Sequence, residues 1–212
     1  VYMGTSNSSV ETLKAAEFLI NGDGTIKGIG GKFLNRNVDG LMEFYSNLND
    51  SENPITAKDG VTYENIQARG RQVLIMAIAN REGKMAIANP NLDEARNAYA
   101  TFGGDLHSGT INLNAHLNKA FQLDIMRYMY EHGIEDIMPP IKSLALVLKN
   151  KPTAELLPKE YNQNDESALQ RNFYQMDKIS ELMLYSQKET PDGMRRLNAQ
   201  EVFIKCQENE HF

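Results

Sequence analysis

Residues 62–94 read T-Y-E-N-I-Q-A-R-G-R-Q-V-L-I-M-A-I-A-N-R-E-G-K-M-A-I-A-N-P-N-L-D-E. Residues 62–81 predict one long helix, and Gly83 is its stop signal. Residues 84–89, K-M-A-I-A-N, form a short apolar run closed by Pro90, the pattern of a buried strand. A long helix that runs into a buried strand and then into an acidic segment is one step of an alternating α/β chain. The same alternation extends outward. Val1, Tyr2 and Met3 read as the end of a strand, and Ser8-x-x-Glu11 is a capping box for a helix with Val10, Leu13, Ala16, Phe18 and Leu19 on its apolar side, ending near Gly22. Residues 28–31 are a turn, and a helix from about Asn37 carries Val38, Leu41, Met42 and Tyr45. Residues 47–60 form a polar loop. Residues 117–132 predict a helix stopped by Gly133, and Pro140 opens another to Lys149. Alternation of this kind gives an open, doubly wound, mostly parallel sheet, whose ligands bind outside the carboxyl ends of the strands.

The last quarter differs in texture. Residues 151–167 are polar, with Pro152 and Pro158, and are too long for a simple connector, so they read as a mobile binding loop. Beyond them Phe173, Met176, Ile179, Leu182 and Met183 recur at helical spacing, and residues 208–212 look frayed. The expected organisation is an α/β core over 1–150, a mobile loop over 151–167, and a C-terminal helical segment of the same domain over 168–212.

Composition limits the function. A chain of 212 residues with 41% hydrophobic and 24% charged content buries a sizeable core. No apolar run reaches the roughly 20 residues of a membrane helix, and no signal peptide is recognisable, so a cytoplasmic location without membrane attachment is expected. The single Cys206 cannot form an internal disulfide and has no histidine positioned by motif to activate it. A net charge of −6 supplies no basic footprint for nucleic acid, which favours a small phosphorylated ligand met by local cations and backbone amides. The missing initiator methionine suggests a piece of a longer protein.

Residues 88–119, A-N-P-N-L-D-E-A-R-N-A-Y-A-T-F-G-G-D-L-H-S-G-T-I-N-L-N-A-H-L-N-K, carry the chemistry. Glu94 suits a divalent cation, Gly103 and Gly104 let backbone amides approach a phosphate, and Lys119 neutralises charge on a leaving group. That set is what phosphoanhydride chemistry needs. His107 and His116 lack a third ligand at sensible spacing for zinc.

Four segments in order resemble the synthetase domain of the NAD synthetases, including the glutamine-dependent ones. They are T-Y-E-N-I-Q-A-R-G-R at 62–71, N-L-D-E-A-R-N-A-Y-A-T-F-G-G-D at 91–105, N-A-H-L-N-K at 114–119, and P-T-A-E-L at 152–156 followed by Q-N-D-E at 163–166. The resemblance covers residues 1 to about 185. It implies an adenine nucleotide alpha hydrolase fold, Rossmann-like, that makes NAD+ from nicotinic acid adenine dinucleotide. ATP first adenylates the nicotinate carboxylate, and ammonia, free or derived from glutamine, then displaces AMP. By matching positions, Glu94 would hold Mg2+. Asn89, Gly103, Gly104 and Lys119 would bind ATP, with Asp105 and Lys119 lining the phosphate and adenylate site as catalytic residues. Asn65 and Arg69 would face the nicotinate-bearing substrate, and Thr153 and Glu155 would sit in the loop that closes over it. A homodimer is implied as well.

Two departures stand out. The family's phosphate loop, S-G-G-x-D-S, is expected after a first strand that this chain lacks, so its expected position is upstream of Val1 and the 212-residue chain alone is expected to be inactive. In A-N-P-N at 88–91, Pro90 removes a backbone donor where small residues are usual. Two alternatives remain at this level: another ATP pyrophosphatase of the GMP or asparagine synthetase type, or a non-catalytic remnant acting as an interaction module.

Overall fold

The computed structural model describes residues 1–96, 100–151, 153–161, 172–185, 187–191, 193–198, 200–201 and 204–205. The chain divides into two compact units, Val1–Asp165 and Glu166–Phe212. In the first unit, β1 (Tyr2–Gly4) leads into α1 (Val10–Asn21) and returns to β2 (Asn35–Asn37), which pairs with β1 in parallel, Tyr2 opposite Asn35. α2 (Asp39–Asn49) and α3 (Val61–Glu82) follow and pack together. β3 (Ile87–Ala88), α4 (Leu92–Arg96) and β4 (Ile111–Asn112) form a second parallel crossover, with Ile87 opposite Ile111. α5 (Lys119–Glu131) and α6 (Ala145–Lys149) complete the unit. The fold is mixed α/β with short parallel strands. Among the described residues the strands pair as separate two-stranded ladders.

Local chemistry explains the element ends. Ser9, rather than Ser8, caps α1: its hydroxyl accepts from the Thr12 amide at 3.0 Å, while the Ser8 hydroxyl accepts from the Thr5 amide at 3.1 Å. α3 covers the expected span and ends on Gly83, a left-handed residue whose amide donates to Ala79 and Asn80 carbonyls. Asn118 caps α5 through the Phe121 amide at 2.7 Å. Three expectations shift. α2 begins at Asp39, because Asn35–Asn37 is spent on β2, and the strand expected over 84–89 narrows to Ile87–Ala88. The helix expected after Pro140 opens with a 3-10 turn, Lys142–Leu144, ahead of α6.

The buried apolar set is mostly small. Ala15, Ala68, Ala79, Ala86, Ala88 and Ala120 are buried together with Val38, Met42, Ile141 and Leu144. Backbones therefore approach closely. On α3, a Cβ added to Gly70 would meet the Met42 sulfur at 3.3 Å, the mark of the α2–α3 contact.

The second unit contains α7 (Phe173–Tyr185), with Met176 buried. An antiparallel hairpin of β5 (Gln187–Thr190) and β6 (Gly193–Arg196) follows where only helix is expected. Arg195 holds Glu201 through bonds of 2.7 and 2.8 Å, which push the Glu201 carboxyl down to about 2. Cys206 and residues 208–212 lie outside the described residues, and no described helix is long and apolar enough to cross a membrane.

The β3–β4 ladder requires close approach at Gly109. A Cβ there would lie 2.7 Å from the Ala86 carbonyl oxygen and closer still to the Ala88 nitrogen, so backbone must move to admit it. Gly109→Ala is expected to lower stability by about 1–3 kcal/mol. A urea midpoint equal to that of the wild type would contradict this.

Candidate active site

α3 positions the site by its helical period. Ala68, Arg71, Gln72 and Ile75, at i, i+3, i+4 and i+7, form one stripe and face a cavity of about 500 Å³. Met3 of β1, and Asn89 and Pro90 just after the carboxyl end of β3, also line it, each strand belonging to its own parallel pair. Glu94 of α4, Asp105, Ser108 and Lys119 of α5 supply further polar groups, and Thr153, Ala154 and Leu156 also line it. Ligands of open α/β sheets are found at strand carboxyl ends of this kind.

The carboxylate of Glu94 is oriented by its own helix. Asn91, buried at 1% exposure, accepts from the Asp93 and Glu94 amides at 2.9 and 3.1 Å. Glu94 accepts in return from the Asn91 backbone amide at 3.1 Å and its side-chain amide at 2.8 Å, a reciprocal capping box. Lys119 Nζ lies 3.4 Å from Glu94 Oε1. Their proximity is set by Asp93, buried at 3% exposure, which accepts from the Lys119 amide at 2.6 Å and so ties the start of α5 to α4. Burial pushes the Glu94 carboxyl above its ordinary value, against the opposing pull of Lys119 and the Asn91 amide.

Other sequence candidates separate into those facing the cavity and those supporting it. Asp105 faces the cavity and accepts from the Thr101 amide at 2.9 Å. Gly103 and Gly104 do not line it; their amides close the turn, onto His107 Nδ1 at 3.3 Å and the Thr101 carbonyl at 3.1 Å. Gly104 lies so close to α3 that a Cβ would stand 3.0 Å from that of Ala68. Asn65 supports the same turn, accepting from the Thr101 hydroxyl at 2.7 Å. Arg69 is exposed and donates to the Phe102 carbonyl at 3.2 Å. Two residues further, about 200° around the helix, Arg71 faces the cavity and donates through Nε to the Met3 carbonyl at 3.0 Å. The resemblance assigns Arg69 and gives Arg71 no role. The period running from Ala68 to Ile75 was the signal that distinguishes them.

The described part of the late loop is fastened by polar anchors. Glu155, at φ 49°, turns away from the cavity to the amino end of α1, where it accepts from the Ser9 amide at 3.1 Å and the Thr12 hydroxyl at 2.7 Å. The Leu156 carbonyl accepts from Asn7 at 3.0 Å and Gln67 at 2.6 Å. Counting apolar side chains misses such anchors. Pro152 and the downstream Q-N-D-E at 163–166 lie outside the described residues.

Comparison with known proteins matches this chain to the NAD synthase family model over residues 1–211, and the chain belongs to that family, a family of ligases. A glutamine-dependent NAD(+) synthetase of Saccharomyces cerevisiae is 30% identical over 186 residues, covering 78% of this chain and 24% of the yeast protein. The crystal structure of a glutamine-dependent NAD(+) synthetase from Cytophaga hutchinsonii superposes with a TM-score of 0.67 at 26% identity, covering 100% of this chain and 30% of that one. The fold is also shared with glutamine-dependent NAD+ synthetase from Acinetobacter baumannii, solved in complex with adenosine diphosphate, at a TM-score of 0.53, 18% identity, and 85% and 33% coverage. The chain spans between 16% and 24% of the length of the curated relatives it matches.

Two measurements test this geometry. Because the folded Glu94 carboxyl is raised, the folded state holds its proton more tightly than the unfolded chain. That contribution is complete below the ordinary value of 4.5 and is lost as pH rises through the folded value. The wild type should therefore lose stability relative to Glu94→Gln as pH rises from about 4.5, read from urea midpoints at acid and neutral pH; a gap moving the other way refutes the burial argument. Separately, Glu155→Ala removes two bonds to a carboxylate, worth about 1.5–3 kcal/mol each. Protease cleavage within 153–161, followed by mass spectrometry, should accelerate about tenfold or more. An unchanged cleavage rate contradicts the anchoring role.

Proposed function

We propose that the protein catalyses ATP-dependent amidation of nicotinic acid adenine dinucleotide to NAD+ through an adenylate, with ammonia taken free or from glutamine. The observation that carries this reading is the meeting of Glu94, Asp105 and Lys119 with Asn89 and Thr153 around one cavity at the carboxyl ends of β1 and β3. Family membership supports it over the GMP and asparagine synthetase alternatives. The two parallel ladders, both ending at that cavity, support a doubly wound sheet of the adenine nucleotide alpha hydrolase kind.

A carboxylate is a poor acyl electrophile until one oxygen becomes part of a good leaving group. In the proposed reaction the nicotinate oxygen attacks the α-phosphorus of ATP, pyrophosphate departs, and ammonia displaces AMP from the acyl carbon. Lys119 is oriented toward the cavity by the Asp93 bond to its amide, and its ammonium opposes the charge of the departing diphosphate. Asn89 and Asp105 contact the nucleotide, with Gly103 and Gly104 shaping the turn that carries Asp105. Thr153 contacts substrate from the late loop, and Glu155 holds that wall in register. Asn65 and Arg69 remain assigned to the dinucleotide side.

The donors suit Mg2+, a hard ion usually held by one or two carboxylates with substrate phosphates and water. Glu94 and Asp105 are such a pair, and among the described residues no group of three His, Cys, Asp or Glu side chains forms a closed metal cage. When bound, Mg2+ would neutralise phosphate charge; Glu94, raised in pKa by burial, gains from a cation beside it. Exposed Met85, Ile87, Ile111 and Leu113 around the β3–β4 ladder support a covering surface, which we assign to a second copy in a homodimer.

The test is amide formation by the full-length gene product with ATP, Mg2+ and either ammonia or glutamine. Lys119→Met and Glu94→Gln should each lower kcat by about a hundredfold or more with smaller changes in KM, and raised Mg2+ should partly rescue Glu94→Gln. No amide from the wild type would end the proposal.

A further inference from the structure

Arg71 stands apart from the other charged groups of the cavity. Its Nε is anchored on the Met3 carbonyl at the carboxyl end of β1, which fixes the plane of the guanidinium, and its side chain is half-buried. Among the described residues it forms no ion pair. Lys119, by contrast, lies beside Glu94. Drawing a guanidinium out of water without a bonded anion is costly, and burial pulls the Arg71 value down while the carboxylates of Glu155 and Asp105 act only from a distance. A planar, oriented fork facing a cavity recognises an anion with paired oxygens, and its geometry matches phosphoryl and carboxylate groups.

The rest of the cavity decides between them. A lone carboxylate would meet Arg71 on one side and the carboxylates of Glu94 and Asp105 on the other. A diphosphate is different: two linked anionic groups can engage Arg71 and Lys119 together, and a divalent cation shared with Glu94 and Asp105 turns their repulsion into attraction. We propose that Arg71 is the diphosphate-binding residue of this cavity, gripping the phosphoryl oxygens bidentately while Lys119 meets the second phosphoryl group. The proposal rests on the nucleotide reading only for the source of the diphosphate, the terminal phosphates of ATP.

The experiment titrates magnesium pyrophosphate, and separately nicotinate, into full-length wild type, Arg71→Lys and Arg71→Met by calorimetry. Wild type should bind pyrophosphate, and Arg71→Met should weaken it about 10- to 100-fold. Arg71→Lys, which keeps the charge and loses the fork, should fall between. Because the Nε bond to Met3 also supports the fold, a second measurement uses the wild type alone. Phenylglyoxal labelling at Arg71, followed by peptide mass, should be suppressed by magnesium pyrophosphate and not by nicotinate. Pyrophosphate binding that is absent from the wild type or undiminished in Arg71→Met, labelling unprotected by pyrophosphate, or protection by nicotinate alone each overturns the assignment. Arg71-dependent pyrophosphate binding in a protein that forms no amide would leave this assignment standing and remove the proposed reaction instead.

Discussion

The short bond from the Lys119 amide to the buried carboxylate of Asp93 organises the site. It joins two helix starts that are 26 positions apart in sequence. One of those starts carries Glu94 within a reciprocal cap with Asn91, and the other carries Lys119 beneath its Asn118 cap. With the two helix ends tied, the acid and the base of the cavity need no bond of their own to stay together. Their 3.4 Å contact follows from backbone placement rather than creating it. A charged pair held this way can exchange partners with a ligand while the wall around it stays in place.

Much of the scaffold was legible because its signals are local. Gly83 after the 22-residue α3 satisfies orphan carbonyls at a helix end, and sequence reports such chemistry directly; the start of α1 is also legible, although its cap falls on Ser9 and not on the expected Ser8, and the Asn118 cap of α5 is a signal that the reading of 117–132 passes over. Strands were harder. Asn35–Asn37, N-R-N, is polar and exposed, and Ile111–Asn112 is too short to show a period; each exists because a partner strand lies beside it. The β5–β6 hairpin has no apolar alternation either, although T-P-D-G at 190–193 is a turn signal in plain sight.

The candidate site divides along the same line. Glu94, Asp105, Lys119, Asn89 and Thr153 were reached from motif order, and all five line one cavity. Motif order carries no orientation; on α3 only the helical period from Ala68 to Ile75 does. Whether Arg69 or Arg71 faces inward depends on the rotation of α3, which the buried Gln67, Ala68 and Gly70 fix against neighbouring elements. Motif order places Glu155 in the loop that closes over the site; its left-handed backbone turns its side chain toward α1, and a motif string carries no record of φ.

The alanine-rich interior has a consequence for how this sequence tolerates change. Where Ala68, Ala79, Ala86, Ala88 and Ala120 fill the buried positions, truncation has almost nothing to remove. Enlargement has nowhere to go, since close-packed backbones must separate to admit a methyl group. Variation at these positions is lopsided: the interior resists hollowing and is easily jammed. Substitutions that accumulate in it should be traded among small side chains, with volume gained only in concert with loss at a facing neighbour.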